Sequence, residues 1–171
     1  MARYAAVFAG RQRRGQHHGR TPAEMAANTA NAERAPTLDL DLAGVSVLII
    51  EDHADSRELL REIIASFGAT VVVAEDGREG LRTFGWVKPD LILCDLRMPG
   101  LDGFGFLDTL RHHPALSRTP VIAVTALGSD ADVRRTFDAG FNGHITKPID
   151  FQTIALVLER VFWADRRKAS K

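Results

Sequence analysis

Four short strand-like runs in this 171-residue chain each end on a side chain able to do chemistry. Val45-Ser-Val-Leu-Ile-Ile50 leads into Glu51-Asp52, and Leu91-Ile-Leu-Cys94 into Asp95. Val121-Ile-Ala-Val124 reaches the hydroxyl of Thr125, and Gly143-His-Ile-Thr146 the ammonium of Lys147. Three carboxylates brought together repel, and the remedies are raised pKa values or a bound cation. Hard oxygen ligands with no His or Cys among them suit Mg²⁺, which takes few protein carboxylates and completes its octahedron with water and phosphate oxygens. An anion, a metal ion and a carboxylate can all be satisfied by such a set. Taken singly, each residue has a plainer role: Asp95 as a turn or cap, Thr125 bonding to backbone, Lys147 as a solvated charge, and Glu51-Asp52 favouring a helix N-terminus. Their joint appearance at four run ends is what those separate roles do not explain.

The elements that must position these groups alternate along the chain. Val45 to Ile50 and Leu91 to Cys94 are strands buried on both faces, since a half-exposed strand would alternate with polar residues. Leu59, Leu60, Ile63, Ile64 and Phe67 recur at helical spacing, with Gly68 placed to end that helix. Ala69 to Ala74 is a second, β-branched strand, and Asp76 caps a helix with Leu81 and Phe84 inward. Pro99-Gly100 turns the chain after Asp95, and a helix from Phe104 to Arg111 is broken by His112-His113-Pro114. Val121 to Ala126 and Gly143 to Thr146 complete the strands. Val133 and Phe137 mark a weakly amphipathic helix between them. Asp150 caps a last helix with apolar Phe151, Ile154, Ala155, Leu158, Val161 and Phe162. Gly80 and Gly105 fall inside presumed helices, at about 1 kcal/mol each relative to Ala.

Five strands alternating with five helices predict an α/β fold: a doubly wound, five-stranded parallel sheet of the flavodoxin-like order 2-1-3-4-5. Strands one and three are then neighbours at the switch point, which sets Glu51, Asp52 and Asp95 side by side. Residues 1–43 show no trustworthy periodicity and are expected to be a flexible, disordered tail, with Met25 a candidate start. That tail holds six Arg against four acids, leaving 16 basic and 18 acidic groups beyond it. Its Arg cluster lacks interleaved aromatic residues, which argues against a nucleic-acid arm. Formal net charge is zero, so the whole chain has no general pull toward polyanions or anionic lipid. The single Cys94 excludes a disulfide framework and reads as a small buried hydrophobe. No run approaches the length of a membrane span, and a soluble cytoplasmic protein is expected.

Residues 44–165 resemble the receiver domain of two-component response regulators, with residues 166–171 a short basic tail. The matching pieces are Val47-Leu-Ile-Ile-Glu-Asp52, Ala74-Glu-Asp-Gly77, Pro89 to Gly103, Pro120 to Ala126, Ala139-Gly140 and Lys147-Pro148. The resemblance implies that Asp95 accepts phosphate from a histidine kinase or a histidine phosphotransfer protein. It implies that Asp52, Asp95 and the backbone carbonyl of Arg97 bind Mg²⁺, with Glu51 acting through water. Thr125 and Lys147 would contact the phosphoryl oxygens, and the Lys147–Pro148 peptide would be cis. Asp95 would then be a carboxylate nucleophile forming an acyl phosphate, in a signalling domain rather than an enzyme.

Two departures from the family pattern carry expectations of their own. His144 stands where the family often has a rotating Tyr or Phe, so the switch pair becomes Thr125 with His144, which is expected to swing inward on phosphorylation. Leu127 replaces a polar residue that orients hydrolytic water in some relatives, which predicts slow self-dephosphorylation. The residues after the last helix are too few for a DNA-reading module, so output through a downstream protein partner, or a relay role, is expected. A phosphorylation-dependent homodimer is left open. Three alternatives differ from this reading at particular residues. A haloacid-dehalogenase-type phosphohydrolase requires a second Asp where Arg97 stands. A nucleotide or flavin binder wants a Gly-rich first loop where Glu51-Asp52-His53 stands. The third is a receiver whose basic tail binds nucleic acid.

Overall fold

The computed structural model describes residues 40–113 and 118–169, with side chains through residue 162. The strands are β1 (Ser46–Ile50), β2 (Thr70–Ala74), β3 (Leu91–Cys94), β4 (Val121–Thr125) and β5 (Gly143–Thr146). The helices are α1 (Ala54–Ser66), α2 (Gly77–Val87), α3 (Gly103–Arg111), α4 (Asp130–Asp138) and α5 (Phe151–Ala169). All strand pairs are parallel, in the expected order β2-β1-β3-β4-β5.

Side chains alternate across this sheet, so each strand feeds two cores. Val47, Ile49, Leu91, Leu93, Ile122 and Val124 meet Leu60 and Ile64 of α1 and Ile154 and Leu158 of α5. On the other face, Leu48, Ile50, Ile92 and Ala123 meet Phe84 of α2 and Phe106, Leu107 and Leu110 of α3. Cys94 lies buried in that second core as a small hydrophobe. Burial on both faces is why β3 carries no polar residue until it ends. Two glycines set how closely the helices approach. A Cβ on Gly80 would lie 2.5 Å from Ile50 Cδ1, so α2 sits nearly on β1. A Cβ on Gly103 would overlap the Asp95 carbonyl oxygen, so α3 begins directly against the end of β3.

The helix starts are capped largely as the sequence suggests. Asp76 Oδ1 accepts the Glu79 N–H at 2.7 Å, and Asp150 Oδ1 accepts the Thr153 N–H at 2.8 Å. Asp102 caps α3 through the Gly105 N–H, and Ser129 with Asp132 forms a reciprocal capping box on α4; neither cap was anticipated.

Several inward assignments differ. Leu59 and Phe151, both expected on inner faces, are 43% and 49% exposed. Phe137 is 46% exposed, and the buried residue of α4 is Thr136, one position earlier. Thr136 Oγ1 bonds to the Asp132 carbonyl, so this helix turns a satisfied hydroxyl rather than an aromatic ring inward. The packed body also starts before residue 44. Leu40 and Leu42 belong to the α1/α5 core, and the Leu42 N–H donates to the Phe67 carbonyl at 2.8 Å. At the other end α5 continues to Ala169, past residue 165. The expected tail, Met25 and the helix-breaking Pro114 lie outside the described residues. Among the described residues, no helix is long and apolar enough to cross a membrane.

Candidate phosphoryl and metal site

Parallel pairing puts the acidic residues at one edge of the sheet. Ile50 is in register with Cys94, and the Asp95 N–H donates to the Ile50 carbonyl at 2.9 Å. Glu51 is held from the other side, its N–H donating to the Ala74 carbonyl at 3.1 Å. The Lys147 N–H donates to the Thr125 carbonyl at 2.8 Å, which continues the β4–β5 ladder to the same edge. The Lys147–Pro148 peptide is cis.

At that edge Lys147 Nζ donates to Glu51 Oε2 and Asp95 Oδ2, both at 2.7 Å. Asp95 Oδ1 accepts the backbone N–H of Arg97 at 3.0 Å, so both oxygens of Asp95 are engaged. The side chains of Glu51 and Asp95 are almost wholly buried, and that of Lys147 is 19% exposed. Burial pushes the Glu51 carboxyl above its usual range and the Asp95 charge adds to this, outweighing the hydrogen bond from Lys147. For Lys147, burial works against the ammonium, but its bonds to Asp95 and Glu51 prevail and raise its pKa.

The other predicted residues arrange themselves around this triplet. Asp52 is partly exposed, and its Oδ1 lies 3.0 Å from Nδ1 of His53. Thr125 is fully buried, and its Oγ1 accepts the Leu127 N–H at 3.2 Å. His144 is held on both ring nitrogens: Nε2 donates to the Leu127 carbonyl at 3.0 Å, and Nδ1 lies 3.2 Å from Thr136 Oγ1. The peptide group of Leu127 therefore joins Thr125 on one side to His144 on the other. Burial pushes the His144 imidazole below its ordinary pKa, with the Leu127 carbonyl and Asp132 opposing.

Two contributors were missed in the sequence. Arg57 Nη1 donates to the carbonyls of Glu51 and Asp52 at 2.8 and 3.2 Å, and its Nη2 reaches Glu75. It fixes the backbone of the acidic turn from the first turns of α1. Its sequence signal was an Arg in a helix start, where a cation opposes the dipole and is better explained by a specific partner. The second is His53. Among the described residues, one group of three metal-ligating side chains has its donor atoms within 4.8 Å of one another: Glu51, Asp52 and His53. Of the carboxylates expected to serve a metal ion, Glu51 and Asp52 are in this group and Asp95 is not.

This geometry matches a known architecture. A family model described as the response regulator receiver domain matches residues 47–159. The chain belongs to the response regulator receiver domain family. It is 32% identical over 121 residues to the "Probable chemotaxis protein CheY" of Rhizobium etli, covering 70% of this chain and 94% of that protein. It is 35% identical over 108 residues to the Regulator of RpoS of Escherichia coli K12, covering 63% of this chain but only 32% of that protein. The receiver domain of a sensor histidine kinase from Pseudomonas aeruginosa PAO1 superposes with a TM-score of 0.65 at 29% identity. That match covers 71% of this chain and 99% of that domain, which was solved with a magnesium ion coordinated in its active site cleft. The receiver fold and a role in two-component signalling follow for this chain.

Proposed function

We propose that this receiver accepts a phosphoryl group on Asp95, with Mg²⁺ as cofactor, from a histidine kinase or histidine phosphotransfer protein. The observation that carries the reading is Lys147 Nζ, 2.7 Å from both Glu51 and Asp95. Glu51, Asp52 and Asp95 against one ammonium leave two uncompensated negative charges; burial raises the Glu51 pKa, and the neighbouring Asp95 charge adds to the rise. A divalent cation fits such a set of hard oxygens. Asp52, Asp95 and the Arg97 carbonyl would hold the ion, with Glu51 behind. When bound, the ion supplies charge neutralisation for an incoming phosphoryl group.

The chain's own residues do the rest. Asp95 presents a carboxylate oxygen as nucleophile to phosphorus, and the donor's leaving group departs with the electron pair of the broken bond. Lys147 is already hydrogen-bonded to Asp95 and can follow the developing charge onto a phosphoryl oxygen. Thr125 Oγ1 now accepts from Leu127, so its proton is the part of the group that a phosphoryl oxygen would engage. Turning that hydroxyl disturbs the Leu127 peptide, and with it the carbonyl that His144 holds. His144 is thus the switch residue of this reading, and altered protein–protein contact is the output.

Incubation with acetyl phosphate and Mg²⁺ followed by intact mass tests the acceptor. One phosphoryl adduct is expected on the native chain and none on Asp95→Asn or in excess chelator. An adduct of equal yield on Asp95→Asn would remove Asp95 from this role.

A further inference from the structure

We infer that Arg57 is a positioning residue for the cation, fixing the direction of the Asp52 carboxylate by clamping the peptide groups on either side of it. The inference rests on the acidic site proposed above and names what holds its most exposed carboxylate. Lys147 ties down Glu51 and Asp95. Asp52 is 23% exposed, and its carboxylate meets the ring of His53, itself 75% exposed. A contact so open to solvent does little to hold a side chain in one direction. The backbone of Asp52 has to do it.

Arg57 Nη1 donates to the Glu51 carbonyl at 2.8 Å and to the Asp52 carbonyl at 3.2 Å. Those carbonyls belong to the planar peptide groups before and after the Asp52 Cα, whose relative rotation is the φ and ψ of Asp52. One guanidinium nitrogen therefore restrains both soft dihedrals of a single residue. The second peptide is also held at its other end, where the His53 N–H donates to Glu51 Oε1 at 3.3 Å. The choice of acceptor matters to the charge of the site. A guanidinium paired with the Asp52 carboxylate would compete with a cation for it; on the carbonyls it orients that carboxylate without taking its charge. Nη2 reaches Glu75 Oε1 at 3.2 Å, which offsets the positive charge added beside the turn. Arg57 stands in the first turn of α1, where a cation opposes the helix dipole. Its side chain is 16% exposed, so it is held there by these partners and not by solvent.

Positioning and charge predict opposite signs. Removing a cation from beside an acidic site strengthens Mg²⁺ binding if charge alone is at work. Calorimetric titration of the full chain with Mg²⁺ should instead show affinity about tenfold weaker in Arg57→Met, the usual cost of losing a group that orients a metal ligand. Arg57→Lys keeps the charge and loses the planar fork, so it too should bind Mg²⁺ more weakly than the native chain, and it carries the test if Arg57→Met does not fold. Phosphorylation by acetyl phosphate separates orientation from a general loss of structure. The Mg²⁺ concentration giving half the maximal rate should rise about tenfold in the variant, with the rate at saturating Mg²⁺ within about twofold of native. A saturating rate that falls as far as the affinity would mark a merely structural role and overturn the inference. Variants that bind Mg²⁺ as tightly as the native chain or more so, where Asp52→Ala abolishes native binding, would overturn it and leave the acidic site standing. Absence of any Asp52-dependent Mg²⁺ binding would overturn both.

Discussion

The triplet at the ends of β1, β3 and β5 and the seam between β5 and α4 are held by different forces. In the triplet, buried charges hold one another: Lys147 sits on Glu51 and Asp95, whose side chains are almost wholly buried. In the seam, neutral hydrogen bonds do the holding, through Thr125, the Leu127 peptide, His144 and Thr136. Helix α4 contributes no residue to either hydrophobic core, whereas α1, α2, α3 and α5 all do. Its further tether is Arg135, whose guanidinium lies 4.6 Å from the Phe104 ring centre. A region fixed by burial and charge can receive a new charge without losing its shape. One fixed by a few neutral hydrogen bonds can change arrangement at small cost, which is what a readout needs.

The sharpest way to break this contrast is to remove the cation from the triplet. Lys147→Met leaves Glu51 and Asp95 buried and facing each other without compensation. Breaking a buried pair by removing one partner costs about 3 kcal/mol or more. Denaturant unfolding without metal should show a loss of that order, and millimolar Mg²⁺ should restore part of it. A loss no larger than that of an exposed Lys→Met change would mean the triplet is not held by charge. The pH dependence has a definite sign. A raised Lys147 pKa stabilises the fold below the ordinary lysine value, and that stability is lost as pH rises through the raised one. The native chain should therefore show an alkaline loss that the variant lacks.

A smaller effect follows from Glu51. Because burial raises its pKa, the folded chain keeps a proton that the unfolded chain has released just above the ordinary carboxylate range. Stability without metal should fall as pH rises through that window, and Glu51→Gln should flatten the fall. The same variant should weaken stabilisation by Mg²⁺. If native and Glu51→Gln chains gave parallel stability–pH curves, Glu51 would not carry the excess charge assigned to it.

Most of the first region was legible in the sequence, and little of the second was. Glu51, Asp95 and Lys147 each directly follow a strand, and parallel topology alone brings such strand ends to one edge. The seam depends on a backbone peptide. Leu127 as a side chain says nothing of its N–H and carbonyl, which reach Thr125 and His144. The helix marked by Val133 and Phe137 is present as α4, but its buried position is Thr136, satisfied by its own helix and invisible to an apolar pattern. Hydrophobic periodicity finds elements that apolar burial holds, and α4 is not held that way. His53 reads in the sequence only as part of the first loop, because nothing in its spacing shows that its ring turns back onto Asp52.

The smallest predicted effect tests the seam directly. In the neutral imidazole, Nε2 carries the proton given to Leu127, so Nδ1 and the Asp132 carbonyl compete for the single hydroxyl proton of Thr136. Protonated His144 would donate from both nitrogens and end that competition, but burial opposes it, with the Asp132 charge on the other side of the balance. A lowered His144 pKa contributes stability above the ordinary imidazole value, lost as pH falls through the lowered one. His144→Phe keeps a ring and removes both polar contacts. The expected cost is about 1 kcal/mol near neutral pH, the net worth of one or two hydrogen bonds less the gain in apolar burial. The part of the acid-side loss due to His144 should vanish. A beryllofluoride-loaded sample gives the decisive comparison: hydrogen exchange in α4 should respond to loading in the native chain and respond less in His144→Phe. An equal response in both would place the readout outside the Leu127–His144 contact and confine the contrast between the two regions to their stability.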